Sequence, residues 1–203
     1  MAVGLRELKM ERTRQLIADK AFQLFTEHGF DQTTVEQIAA AAEVGPRTLY
    51  RYFPTKETLL VNFVETHLFA ALERMREQPD DLPVAEALYA LVDSVITTTA
   101  VHESRVLAIY ELAERTPSVQ AQFSGIWFRW RAAVADEVSR RCKRRGSDMA
   151  ASLAAATVSF VIDVSVQAWV ESGGKANMRR LANRALELLR NGEVPFATPA
   201  SKR

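Results

Sequence analysis

The stretch TTVEQIAAAAEVGPRTLYRYFPTKETLL, residues 33–60, decides the fold. It opens on two threonines, each followed three residues later by a Glu or a Gln, which is the capping-box pattern of a helix start. A short helix is therefore predicted to begin at Thr33 or Thr34 and to end near Ala42.

A second short helix follows this first one. Gly45 breaks the chain, and Pro46 suits the first position of a new helix because its φ is already helical and no N–H is needed there. Pro54 ends that helix, and Thr55 offers an N-cap hydroxyl to a long helix that begins at Lys56. Two short helices joined by a tight turn are typical of a helix-turn-helix, whose second helix enters the major groove of DNA.

The rest of the chain also has helical patterning. Apolar residues recur at three- and four-residue intervals, and no alternating β-branched run is bounded by hairpin dipeptides. We predict an all-α protein of about nine helices, in which the helix from Lys56 runs toward Gln78. The other predicted helices lie at about 11–28, 83–100, 103–115, 117–145, 148–171 and 175–191.

The composition is that of an ordinary globular protein. The 203 residues are 48% hydrophobic, with 8 Gly and 7 Pro. No run approaches the roughly 18 apolar residues of a membrane span, the N-terminus lacks a signal-peptide pattern, and the single Cys142 cannot form an intramolecular disulfide. We expect a cytoplasmic protein with no membrane partner.

The charge is balanced overall but not locally. A formal net charge of +1 argues against a polycation that coats nucleic acid. Between Glu43 and Glu57, however, no acidic residue interrupts the three cations Arg47, Arg51 and Lys56. This basic window coincides with the second short helix.

The polar side chains of that helix suit DNA. Arg47 and Thr48 can reach base edges, whereas the hydroxyls of Tyr50 and Tyr52 can meet phosphate oxygens. The alternatives are that the tyrosines pack beneath the helix and that Arg51 is simply a solvated cation. Because the Leu and Phe beside the tyrosines fit the core better, the DNA role is favoured.

The phrases AFQLFTEHGFDQTTVEQIA (residues 21–39) and AAEVGPRTLYRYFPTKETLL (residues 41–60) resemble the N-terminal domain of the TetR family of transcriptional regulators. The resemblance in sequence covers about residues 11–60. Beyond them the likeness is limited to the helical architecture. It implies a three-helix DNA-binding domain at residues 1–56. One departure is Gly45-Pro46, where many relatives carry a hydroxyl residue.

The same resemblance assigns roles within that domain. Thr34, Tyr50, Tyr52 and Lys56 would contact phosphates, and Arg47 and Thr48 would lie nearest the bases. The complete predicted DNA-binding set is Thr33, Thr34, Arg47, Thr48, Tyr50, Arg51, Tyr52 and Lys56.

For residues 57–203 the resemblance implies an effector-binding and dimerisation domain. The partners would be double-stranded operator DNA, a second copy of the chain and a small, largely apolar effector. The homodimer would form through the helices at about 148–171 and 175–191. The first of these is apolar nearly all round, so a second face needs a partner.

The effector site is predicted from aromatic and polar residues in this second domain. The candidates are Phe63, His67, Tyr110, Trp127, Trp130, Phe160 and Asp163. Aromatic residues at helical spacing are more often core, and that alternative stays open. Asp163 on the apolar helix needs a partner, either an Arg of the last helix in the other subunit or the effector.

No enzymatic, cofactor or metal site is predicted. The three histidines are far apart in sequence, and no catalytic triad, metal-ligand spacing or phosphate-binding glycine loop occurs. The run Arg140-Arg141-Cys142-Lys143-Arg144-Arg145 is interpreted as the solvated, cationic end of a helix rather than as a second phosphate site or a reactive thiol.

The predicted function is therefore a ligand-responsive repressor that binds a palindromic operator as a dimer. The alternatives are an all-α small-molecule-binding enzyme and a ligand-independent architectural DNA-binding protein. Turnover without DNA would identify the first, and weak sequence preference the second.

Overall fold

The computed structural model describes residues 4–143 and 149–195, and within them it contains nine α-helices and no strand. The helices are α1 (Leu5–His28), α2 (Val35–Ala41), α3 (Pro46–Tyr52), α4 (Lys56–Arg76), α5 (Val84–Val101), α6 (Glu103–Arg115), α7 (Pro117–Arg141), α8 (Met149–Glu171) and α9 (Met178–Arg190). The prediction of an all-α protein with about nine helices is confirmed.

The first helix begins earlier than the predicted start near residue 11. It begins at Leu5, and the carboxylate of Glu7 accepts the N–H of Gly4 at 3.0 Å, which satisfies one of the unpaired donors at the helix start. The helix ends at the predicted place. Gly29 has a φ of 86°, and its N–H donates to the carbonyl of Phe25, so glycine suits this left-handed position.

The turn between α2 and α3 differs in detail from the prediction that Gly45 breaks the chain. Gly45 is the N-cap of α3 with an extended φ of −73°, a conformation open to any residue, and it offers no side-chain cap. The left-handed residue of the turn is Glu43, with a φ of 54°. Backbone strain in the helix-turn-helix therefore lies at a glutamate, two residues before the glycine.

Two compact units make up the described chain. The first contains the residues up to Phe69 together with Ser104–Arg129, and thus α1–α3, most of α4, α6 and the first half of α7. Its core is formed by fully buried aliphatic and aromatic side chains, each contributing about 1.5–3 kcal/mol. They include Ile17, Ile38, Leu49, Phe53 and Leu59. The functional boundary at residue 56 stays a prediction.

The second unit contains Ala70–Glu103 and the residues from Trp130 onward. In it α5, α8 and α9 pack against one another. By length and hydropathy α5 and α8 are also long and apolar enough to cross a membrane, a property that core helices share. Here Leu91 and Ile96 of α5 and Trp169 of α8 are buried in the protein core.

A buried arginine at the end of α7 contacts the end of α4 within the second unit. Arg141 Nε donates to Glu137 Oε1 at 2.8 Å, and the two side chains are 0% and 3% exposed. The Arg141 guanidinium also donates to the carbonyls of Met75, Gln78 and Pro79. The interpretation of the basic run as solvated is thus wrong for Arg141, because its charge caps the C-terminal carbonyls of α4. Arg144 and Arg145 lie outside the described residues.

Candidate nucleic-acid interface

One face of α3 presents polar side chains to solvent. Arg47, Tyr50 and Arg51 are exposed, Tyr50 to 48%, whereas Leu49 is fully buried on the opposite face. The helical spacing of three and four residues puts the exposed three on the same side. With Gly45 and Pro46 also exposed at the helix start, this face can approach a ligand as large as a DNA duplex.

The other two predicted residues of α3 are half-buried. Thr48 lies beside the exposed face, and Tyr52 carries the guanidinium of Arg51 at 5.4 Å from its ring centroid. Such a contact favours an Arg51 guanidinium that lies against the Tyr52 ring.

The packing of α3 depends on an arginine that the sequence did not single out. Arg14 of α1 lies 4.9 Å from the ring centroid of Phe53, which follows α3 and is buried. Its Nη2 and Nε also donate to Oδ1 of the buried Asn62 in α4, at 2.8 and 3.2 Å. Arg14 thereby links α1, α4 and the end of α3.

The two threonines at the start of α2 have different environments. Thr34 is exposed and forms the complete capping box: its hydroxyl accepts the Gln37 N–H, and its own N–H donates to Gln37 Oε1. Thr33 is only 1% exposed, and its hydroxyl donates to the carbonyls of Gly29 and Leu24 at 2.7 and 3.2 Å. The inclusion of Thr33 among the DNA-contacting residues is therefore corrected, because a buried hydroxyl engaged with two carbonyls cannot reach DNA.

Lys56, at the first position of α4, points back to the turn between α1 and α2. Its Nζ donates to the carbonyls of Phe30 at 2.7 Å, Thr33 at 3.3 Å and Asp31 at 3.5 Å. The same nitrogen lies 4.4 Å from the Phe30 ring centroid. The ammonium thus fixes α4 to the α1–α2 turn; a phosphate contact, as the family resemblance implies, stays a prediction.

The start of α4 is also tied to the start of α7. Ser118 Oγ donates to Glu57 Oε1 at 3.0 Å. Partial burial alone would raise the pKa of Glu57, but its own backbone N–H, the hydroxyls of Ser118 and Thr55, and the charge of Lys56 together lower that pKa below its ordinary value. An ionised Glu57 suits the positive end of the α4 dipole.

Four of the predicted effector residues lie in the first unit. Phe63 of α4 is buried, with its ring centroid 4.0 Å from that of the half-buried His67. Tyr110 of α6 makes an edge contact with Phe123, at 5.2 Å between centroids, and Trp127 of α7 is half-buried. All four stay candidates for the effector site.

The other three lie in the second unit and have dissimilar environments. Trp130 is fully buried, Asp163 is half-buried and Phe160 is 59% exposed. Phe160 is therefore corrected as a wall of an enclosed pocket, because its ring faces solvent in the protomer. Burial raises the pKa of Asp163. Two surface cavities in this unit, of about 570 and 510 Å³, are lined by none of the seven predicted residues.

Within the described residues, no group of three or more His, Cys, Asp or Glu side chains is placed to hold a metal ion. The first unit offers hydrogen bonding and charge on the exposed face of α3, supported by cations that link its helices.

The sequence matches known families along most of its length. Residues 17–62 match the family described as "Bacterial regulatory proteins, tetR family", and residues 82–194 match the family described as "MftR C-terminal domain". The chain is 30% identical over 159 residues to the putative mycofactocin biosynthesis transcriptional regulator MftR of Mycobacterium tuberculosis, covering 76% of this chain and 78% of that protein. It is 33% identical over 126 residues to the HTH-type transcriptional regulator TcmR of Streptomyces glaucescens, covering 59% of this chain and 56% of that one.

A solved structure shares the fold. The crystal structure of FadR from Thermus thermophilus, a TetR family transcriptional repressor in complex with lauroyl-CoA, aligns with a TM-score of 0.60 and 24% identity, covering 94% of this chain and 100% of that chain. The family matches, the helix-turn-helix of α2 and α3 and the exposed polar face of α3 agree with one another: this chain belongs to the TetR family and is a DNA-binding transcriptional regulator.

Proposed function

We propose that this regulator is a ligand-responsive repressor that acts in the cytoplasm and is not an enzyme. It binds a palindromic operator as a homodimer, with α3 of each subunit in a major groove. The observation that carries the proposal is the exposed face of Arg47, Tyr50 and Arg51 on a helix whose opposite side is buried. A helix held in this way can enter a groove without distorting its own domain.

The proposed division of labour follows the side-chain chemistry. Arg47 and Thr48, in the first turn of α3, read base edges, since a recognition helix uses its N-terminal residues for this purpose. Tyr50, Tyr52 and Thr34 contact phosphate oxygens and set the register on the duplex. In the capping box the Thr34 hydroxyl oxygen accepts a hydrogen bond and the Thr34 backbone N–H donates one, so the O–H proton is the group left to donate to a phosphate.

The proposed dimer forms through α8 and α9. Exposed apolar side chains recur along α8 at Met149, Leu153, Phe160 and Val164, spaced so that they form a stripe on one face. We call these four residues the α8 stripe. A regulator that binds a palindrome needs two copies of α3. We therefore interpret this apolar stripe as the surface that a second copy of the chain covers.

Asp163 lies beside the α8 stripe. It is half-buried, and desolvation raises its pKa, so the folded protomer disfavours its charged form. An arginine of α9 in the other subunit would relieve this cost by pairing with the carboxylate. Arg180 and Arg184 are exposed on α9 and are the proposed partners.

The proposed effector is small and largely apolar, and it binds against Phe63, His67, Tyr110 and Trp127 of the first unit. The acyl chain of the lauroyl-CoA bound by the Thermus thermophilus protein is apolar, and this acyl chain supports an apolar binding surface. An effector releases the operator only if it binds more tightly to a dimer whose two α3 helices no longer match the half-sites. The expected direction is derepression.

The test is selection of a binding site from a random duplex pool by the full-length chain. We expect an inverted repeat whose half-sites lie roughly 34–36 Å apart, or a multiple of that distance. Arg47→Ala should abolish the preference for the selected sequence, whereas Arg115→Ala, an exposed arginine of α6, should retain it. Binding without sequence enrichment would contradict the proposal and favour an architectural protein.

A further inference from the structure

Arg105 of α6 contacts both α1 and α4. Its Nη1 donates to Asp19 Oδ1 of α1 at 2.9 Å. Its guanidinium carbon lies 4.5 Å from the ring centroid of Phe22 in α1 and 4.6 Å from that of Phe63 in α4. The side chain is 16% exposed. We call these four residues the Arg105 bridge; all of them belong to the first unit.

The bridge suits an arginine and no other side chain. A planar guanidinium can stack on one aromatic ring, contact a second and still direct an N–H at a carboxylate. A lysine ammonium is a point charge, so it can pair with Asp19 but cannot lie against both rings in the same way. The contacts therefore fix the orientation of α6 relative to α1 and α4, as well as its distance from them.

Stability alone does not explain the arrangement. The Nε atom of Arg105 is buried without a hydrogen-bond partner among the described residues. An unpaired buried donor is unfavourable, and an apolar side chain between Phe22 and Phe63 would avoid it. The position of Arg105 in the chain also matters, because the chain passes from the second unit to the first between Glu103 and Ser104.

We infer that Arg105 is a positioning residue for operator recognition: by clamping α6 to Asp19, Phe22 and Phe63 it sets the orientation of α1 and α4, and through them that of α3. The inference rests on the proposed function, because orientation matters only if two α3 helices must match two half-sites.

The test compares two duplexes that carry the half-sites selected by the wild-type chain. One has the selected spacing, and the other has extra base pairs between the half-sites. The dissociation constants of full-length wild type, Arg105→Met, Arg105→Lys and Asp19→Asn are measured for both by fluorescence anisotropy. The matched control is Arg115→Met, since Arg115 lies on the same helix and its Nε donates to the carbonyl of Glu111.

The readout is the dissociation constant for the duplex with extra base pairs divided by the dissociation constant for the duplex with the selected spacing. A variant that merely unfolds in part loses affinity for both duplexes equally, so the ratio does not move. We expect Arg105→Met to lower the ratio by about fivefold or more, the lower end of a typical coupling between sites. Arg105→Lys should fall between it and wild type, and Arg115→Met should match wild type.

Asp19→Asn keeps the test decisive if Arg105→Met does not fold. It removes the ion pair and leaves both rings, so the ratio should fall in the same direction. If Arg105→Met folds and has the wild-type ratio, this inference alone is overturned. If Arg105→Met is unfolded, a wild-type ratio in Asp19→Asn overturns it instead. Failure of the wild-type chain to select any operator overturns the proposed function and the inference together.

Discussion

Tyr50 is exposed on α3 next to the fully buried Leu49, so its hydroxyl can act without disturbing the core. We expect Tyr50→Phe to weaken operator binding by about 1 kcal/mol per subunit, roughly fivefold, because one hydrogen bond to a phosphate is lost. Gel-shift titration measures this loss. Tyr89→Phe is the matched control, since Tyr89 of α5 is equally exposed; the same loss in both variants would argue against a phosphate contact.

Lys56 has two possible contributions that one variant separates. Its Nζ donates to three carbonyls of the α1–α2 turn, so Lys56→Met should lower the free energy of unfolding by about 1–2 kcal/mol in urea titrations. We also expect weaker operator binding and a slope of log affinity against log salt that falls by about one, because the family resemblance implies a direct phosphate contact. An unchanged slope would show that the ammonium acts by holding the turn alone.

At the scale of the helix, α2 depends on its N-cap. Thr34→Ala removes the hydroxyl that accepts the Gln37 N–H, and the free energy of unfolding should fall by about 1 kcal/mol. Thr26→Ala is the control within α1. Its hydroxyl donates back to the Phe22 carbonyl of the same helix, and alanine is the better helix former, so that variant should be neutral or slightly more stable.

The buried pair at the end of α7 governs how α4 and α7 are joined in the second unit. Arg141→Met should cost about 3 kcal/mol of unfolding free energy, because Glu137 loses its buried partner, although it keeps the more exposed Arg140, and three carbonyls at and just after the end of α4 lose their donor. Arg131→Met, on the same helix and half-buried, is the control. Chemical denaturation followed by circular dichroism measures both.

The same pair predicts a pH dependence. Hydrogen bonds and charge from Arg140 and Arg141 outweigh burial and lower the pKa of Glu137 below its ordinary value of 4.5. The stability from this group is therefore fully present above pH 4.5 and is lost as the pH falls through the lowered pKa. Glu137→Gln should be less stable than wild type at neutral pH, and the difference should shrink under acid. A constant difference would show that the charge is not responsible.

At the scale of the whole molecule, the α8 stripe is expected to hold two chains together. Phe160 is 59% exposed in the protomer, and Phe160→Glu would place two carboxylates in the interface. We expect light scattering to give a dimer mass for wild type and a monomer mass for the variant, with an unchanged helical circular dichroism spectrum.

The control for the dimer is Phe128→Glu. Phe128 of α7 is 70% exposed and lies outside the α8 stripe, so this variant should stay dimeric. Monomers in both variants, or a dimer in Phe160→Glu, would place the interface elsewhere.

Local chemistry explains why so much of the fold was predictable. Gly29 ends α1, Pro46 begins α3, and Thr34 caps α2, because each signal involves backbone groups within a few residues. The exposure of Tyr50 followed from the helical period once Leu49 was assigned to the core. The start of α1 at Leu5 was missed because Glu7 supplies a weaker signal than a hydroxyl cap.

The amino-acid sequence by itself determined the helices, the helix-turn-helix and the family, because capping, proline geometry and apolar periodicity act over one or two turns. Only the tertiary structure decided that Thr33 is buried beside Thr34, that Arg141 caps α4, and that Arg105 meets Asp19 across 86 positions. An arginine is equally acceptable in solvent and against a ring, so its role depends on partners that folding brings together.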